Sequence, residues 1–252
     1  MGRVVLPGDF ITSSLIAPTG EEKIIGAGLC KRPDGVYAVM TGLLHEKNNK
    51  IWVISSTKRY VPRAGDKVLG LVTARAGDFF RVDIGSSDLA LLNFVSFEGA
   101  TKRNRPSIKV GDLVFAQVVL TSKQMETELS CVDAEGRARG LGTINTPGVV
   151  FCVSLNYARR LLASDDIFLK QLGERLKFEN AIGMNGKIWI SATNPYVTLA
   201  VKEAIIAGEQ TFAANRKYLV DEAVYRASNC GGITGIRAMK PDLEEGEINE
   251  DI

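Results

Sequence analysis

Hydrophobic and polar positions follow two different periods along the chain, and the change falls near residue 148. Before it, apolar residues come in short runs rich in β-branched and aromatic types, broken by turn residues. Residues 36–40 and 51–54 predict strands, with a polar turn from His45 to Lys50 between them. Arg32-Pro33-Asp34-Gly35 is a tight turn: Pro presets φ, Asp bonds the local backbone, and Gly accepts a positive φ. So few strands bury little by themselves, so residues 1–57 are expected to form a small β domain packed on a neighbour. Residues 58–139 carry candidate strands at 67–73, 79–84, 89–92, 113–119 and 128–132. Gly65-Asp66, Gly77-Asp78 and Gly111-Asp112 each mark a sharp turn into a strand. Short strands with no helical period predict a small barrel, an OB-fold, with a long connection at 96–109.

After residue 148 the spacing becomes helical. A strand at 149–153 leads into Leu155, Ala158, Leu161 and Leu162, which share one helix face. A second short helix spans 167–172, and strands at 181–182 and 187–191 are joined by Gly183-Met184-Asn185-Gly186. A long helix opens at Asn194-Pro195, with a side-chain cap and Pro in its first turn. Another is expected over 211–226. Residues 140–228 therefore read as an α/β module with helices over a three-stranded sheet, and 229–252 as a mobile acidic tail. The fold class is multi-domain, mainly β plus α/β.

Composition narrows the function. Of the residues, 45% are hydrophobic and 24% charged, as in an ordinary globular protein. No apolar run approaches the roughly 18 residues that cross a bilayer, and the first residues lack the apolar stretch of a secretory signal. The net charge is only +2, but residues 240–252 set one lysine against six carboxylates, which leaves a basic body. A basic body suits a polyanion, although charge alone fits a solvated surface equally well. The four cysteines form no C-x-x-C pair and His45 is the only imidazole, so neither a metal nor a cofactor is expected. No phosphate loop, dinucleotide fingerprint, catalytic triad or carboxylate cluster is legible, which argues against an enzyme.

What remains is binding chemistry. Thr101-Lys102-Arg103-Asn104-Arg105, in the long barrel connection, offers consecutive donors for phosphates or base edges. Phe79 and Phe80 are adjacent in a strand, so one ring points outward, where it either stacks on a base or packs on a neighbouring domain. Arg75, Lys67, Lys58 and Arg59 add positive charge to the same module. Gly183-Met184-Asn185-Gly186 has the letters of a KH backbone clamp, but that loop ordinarily joins two helices. Here a strand follows, and Asn-Gly between apolar runs is a hairpin turn, so Gly183, Asn185 and Gly186 read as structural. Trp189 then reads as a core or interface residue.

Three stretches together resemble the cap subunits of the RNA exosome, of the ribosomal-RNA-processing protein forty type. They are Lys58-Arg59-Tyr60-Val61-Pro62 with Gly65-Asp66, residues 96–106, and Gly183 to Trp189. The resemblance extends over about residues 1–228. It implies a ribosomal S-one-type barrel, a KH-like module and a non-catalytic, RNA-binding subunit. That subunit would sit on a ring of RNase PH-like proteins beside other cap subunits and feed RNA to a separate exoribonuclease. It would act in ribosomal RNA processing and RNA decay, in nucleus, nucleolus and cytoplasm, with no membrane contact. On this view Lys102, Arg103, Asn104 and Arg105 face the RNA, helped by Phe79, Arg75 and Lys67, and the G-x-N-G segment is structural. A free-standing RNA-binding regulator and a ribonuclease in its own right are the alternatives.

Overall fold

Turns rich in Gly, Asp and Asn cut the first half of the chain into short strands. The computed structural model describes residues 3–12, 23–47, 49–55, 59–101, 103–122, 124–133, 135–163, 166–211 and 216–229. Lys58, Lys102, Cys230 and the acidic tail lie outside the described residues.

Two small sheets form the N-terminal domain. β1 (Arg3–Val5), β2 (Phe10–Thr12), β3 (Ile24–Ile25) and β4 (Leu29–Arg32) are followed by β5 (Gly35–Ala38), β6 (Gly42–Lys47) and β7 (Lys50–Ile54). They order as β1-β6-β7-β3 and β2-β5-β4. Val5, Ala38 and Val53 make a small core between them. The expected polar turn at 45–50 is a correction: His45, Glu46 and Lys47 continue β6, and only the tip around Asn49, at φ 60°, turns the chain. These polar side chains belong to a hairpin that faces solvent on one side. His45 pairs across the strands with Trp52 and stacks on it at 5.9 Å.

The second unit comprises β8 (Lys67–Ala76), β9 (Phe79–Asp83), β10 (Ala90–Asn93), β11 (Leu113–Leu120), β12 (Glu128–Ser130) and β13 (Gly142–Ile144). β12 pairs parallel to β10 and antiparallel to β11, which closes strands β8 to β12 into a barrel. Val68, Val72, Phe80, Val82, Leu92 and Val114 fill its interior. β13 extends the sheet beyond β11 and leads the chain out of the barrel.

The third unit holds β14 (Val149–Cys152), α1 (Leu155–Leu162), α2 (Phe168–Arg175), β15 (Glu179–Ile182), β16 (Lys187–Ser191), α3 (Pro195–Gln210) and α4 (Arg216–Asn229). The antiparallel sheet runs β14-β16-β15. Ser154 caps α1 and Asn194 caps α3, each side-chain oxygen accepting a bond from a first-turn N–H. Ile188 and Ile190 point into the helix layer, where Tyr157, Leu172, Val201 and Ile205 meet them. The last helix starts at Arg216 rather than 211, because Thr211 caps α3, its hydroxyl donating to the Ala207 carbonyl. Arg216 is buried and bonds Asp166 at 2.7 Å, fixing the start of α4 to the entrance of α2.

Candidate nucleic-acid interface

Strand alternation settles the Phe79–Phe80 pair. Phe80 and Val82 enter the barrel core, while Phe79 (42% exposed) and Arg81 stand on the outer face. Across the ladder, Asn93 and Ala76 lie opposite Phe79, and Leu91 and Ala74 lie opposite Arg81. The strip thus sets an aromatic ring and a guanidinium beside Ala74, Ala76, Asn93 and the half-buried Leu91. Arg81 escapes a search for basic runs, since it is a single cation inside a strand. Counting by twos from Phe79 would have found Arg81.

The connection between β10 and β11 folds back on the end of this strip. Arg105 lies over the Phe94 ring at 4.5 Å and reaches Asp78 at 3.4 Å, in the turn that starts β9. Phe97 packs on the barrel core, and Ser96 accepts a bond from the Cys131 N–H. Asn104 donates from its backbone to the Thr101 hydroxyl and from its amide to the Gly99 carbonyl. It shapes the loop with those bonds, and its side chain is only partly available. Arg103 is exposed, with no ion pair among the described residues. Arg75 lies across from Phe80, 6.0 Å from its ring, at the same end of the barrel. Phe79, Arg81, Arg75, Arg103 and Arg105 are therefore gathered around one end of β8 and β9.

Lys67 is not among them. It occupies the opposite end of β8, about 26 Å from Arg75 at roughly 3.3 Å per residue. There its carbonyl accepts a bond from the Met184 N–H at 2.8 Å, at the seam with the helical module.

Gly183-Met184-Asn185-Gly186 faces that seam. Asn185 is buried, and its amide donates to the carbonyls of Leu69 and Ile84, each at 2.8 Å. Its oxygen accepts from the Leu69 N–H at 3.4 Å. A Cβ on Gly183 would meet the Leu69 nitrogen at 2.8 Å, and one on Gly186, at φ +78°, would meet the Val153 carbonyl at 2.5 Å. Beside this loop Lys187 bonds Asp83 at 3.2 Å. Partial burial raises the Asp83 pKa, but the Gly85 N–H and Lys187 outweigh it and hold the carboxyl below its ordinary value. Leu155 and Met184 complete the seam by packing on the barrel core.

Between α1 and α2, where a KH clamp would sit, the chain reads Ala163-Ser164-Asp165-Asp166-Ile167, without glycine and with two carboxylates. Such a loop lacks the glycines through which a KH clamp brings its backbone against phosphates. No group of three or more His, Cys, Asp or Glu that could hold a metal occurs among the described residues. Cys131 is buried, which pushes its thiol up to about 12, while Cys30 and Cys152 are exposed.

A barrel joined in this way to a helix-covered sheet defines an S1–KH protein. Residues 60–142 match the family model for the S1 domain of exosome complex component RRP40, and residues 148–196 match a KH domain. The human exosome complex component RRP40 is 37% identical, over 87% of this chain and 89% of its own length. The Saccharomyces cerevisiae protein of the same name is 36% identical, over 82% of this chain and 88% of its own. A crystal structure assigned as an exosome complex RNA-binding protein superposes with a TM-score of 0.56 at 26% identity, covering 69% of this chain and 99% of that one. The chain belongs to the RRP40 family of exosome complex components.

Proposed function

We propose that this chain is a non-catalytic, RNA-binding cap subunit of the exosome, which guides RNA toward a separate 3′–5′ exoribonuclease in ribosomal RNA processing and RNA decay. The observation that carries the reading is the pairing of exposed Phe79 with Arg81 on one barrel face, next to the loop that presents Arg103. A ring stacks on any base, and guanidinium groups bind phosphates wherever the backbone passes, so the arrangement suits a strand of any sequence moving past. A guide needs that tolerance. Arg105 contributes both charge and loop shape through Phe94 and Asp78. Lys102 belongs to the same loop by sequence. Lys67 is assigned to the seam instead.

The N-terminal domain offers the surface for the ring. Val4, Leu43 and Ile54 sit in register across β1, β6 and β7, and all three are exposed. An apolar row of this kind on a small domain marks a protein interface. We assign it to the RNase PH-like ring, with the other cap subunits as neighbours, and place the complex in nucleus, nucleolus and cytoplasm.

Replacing Arg81 and Arg103 together by Ala is expected to weaken binding of single-stranded RNA and to flatten its salt dependence. The slope of log K against log salt should fall by about 1.4, at about 0.7 per lost phosphate contact on a single strand. Titration of fluorescent oligoribonucleotide into the assembled complex at several salt concentrations measures this. An unchanged slope would remove both residues from the RNA path. RNA shortened by the purified chain alone would make it a nuclease.

A further inference from the structure

A cleft of about 780 Å³ lies between the barrel and the helical module, away from the Phe79 face. Its apolar wall includes Phe115, Leu162, Leu169 and Met184. Four charged side chains also line it: Asp66, Asp166, Lys67 and Lys170. Both carboxylates are engaged, since Asp66 accepts from the Tyr60 hydroxyl at 2.7 Å and Asp166 pairs with Arg216 at 2.7 Å. Lys67 and Lys170 are exposed and form no ion pair among the described residues. The cleft therefore presents two ammonium groups without ion pairs and one carboxylate, Asp66, on an apolar wall, a balance that leaves it positive. A complementary ligand is a flexible segment that interleaves carboxylates with aliphatic side chains.

The chain carries such a segment. Residues 240–252 set Asp242, Glu244, Glu245, Glu247, Glu250 and Asp251 around Leu243, Ile248 and Ile252. Its tether is long enough to reach the cleft. Arg216, the first residue of α4, bonds Asp166 on the cleft wall. The 14-residue helix carries the chain about 21 Å from there, at about 1.5 Å per residue. Residues 230–239 can return up to about 33 Å when extended. We propose that the acidic segment 240–252 docks into this cleft of its own chain, with carboxylates on Lys67 and Lys170 and aliphatic side chains on the Phe115–Leu162 wall. Docked, it would cover the barrel–KH seam and keep the segment's negative charge off the RNA face. The inference stands independently of RNA binding.

Lysine reactivity tests it. The full chain and a chain ending at residue 239, which keeps every described residue, are treated with an acetylating reagent and each lysine is followed by mass spectrometry. Lys67 and Lys170 should react several-fold more slowly in the full chain, with other lysines unchanged. The difference should vanish at about 0.5 M salt, where charges are screened within a few ångströms. A carbodiimide, which joins carboxylates to touching amines, should link segment 240–252 to Lys67 or Lys170 within one molecule. Equal reactivity in the two chains, or links spread over all lysines, would overturn the proposal. Links only between isotopically distinct copies would give the cleft to a second molecule. Protection only on adding an oligoribonucleotide would give it to RNA. RNA affinity, measured in parallel on the chain ending at 239, keeps this result separate from the function proposed above.

Discussion

Trp189→Arg is expected to cost about 3–5 kcal/mol of stability, the range for an uncompensated buried charge. Trp189 is 5% exposed and lies at the centre of the three-stranded sheet, opposite Val150 and Ala181. Its indole packs so closely on Gly148 that a Cβ there would meet the ring at 2.7 Å from Cε2. The adjacent position on the same strand face is Lys187, so an arginine would add a like charge and compete for Asp83. A melting temperature lower by roughly 10 °C is anticipated for a chain of this size. Trp189→Phe should keep most of the stability, because it keeps an aromatic ring in the site and loses only the pyrrole half of the indole with its N–H. Thermal unfolding of the three proteins decides the matter, and an arginine variant that melts with the parent would refute the packing role.

Asn185→Ala should act on the seam between units rather than on either core. The change deletes three hydrogen bonds to Leu69 and Ile84 and leaves buried backbone groups without partners. Each orphaned group costs about 1–3 kcal/mol, so a total near 3 kcal/mol is expected. Asn185→Asp should be worse than Ala, although its shape is closer. A carboxylate cannot donate, and it would face the Leu69 and Ile84 carbonyls directly. Urea unfolding should change from one transition to two, as barrel and KH module come apart separately. A single unshifted transition in both variants would show that the loop is not the link.

These expectations differ in how far the sequence announced them. The barrel strands were legible because Gly-Asp turns bracket alternating runs, and adjacency in a strand sends one ring of the Phe79–Phe80 pair outward. The hairpin at Asn185-Gly186 was legible too, but its partners lie 101 and 116 residues away and no local pattern encodes them. Strands of three residues, such as β1 and β2, are too short to show a period. The polar run at 45–50 resembled a turn because an exposed hairpin carries the same residue types. Lys67 and Arg75 looked like one basic group because they are near in sequence, yet an extended strand holds its ends far apart. Arg81 was hidden for the opposite reason, since it has no charged neighbour to draw attention to it.

For the proposed RNA guide, the barrel face and not the glycine loop of the KH module is the surface expected to meet RNA. Ultraviolet cross-linking of the assembled complex to single-stranded RNA, with the joined peptides identified by mass spectrometry, tests this most directly. Links at Phe79 and within the segment around Arg103 and Arg105 are predicted, with none at 183–186. Links confined to Gly183-Met184-Asn185-Gly186, with the barrel face bare, would contradict it.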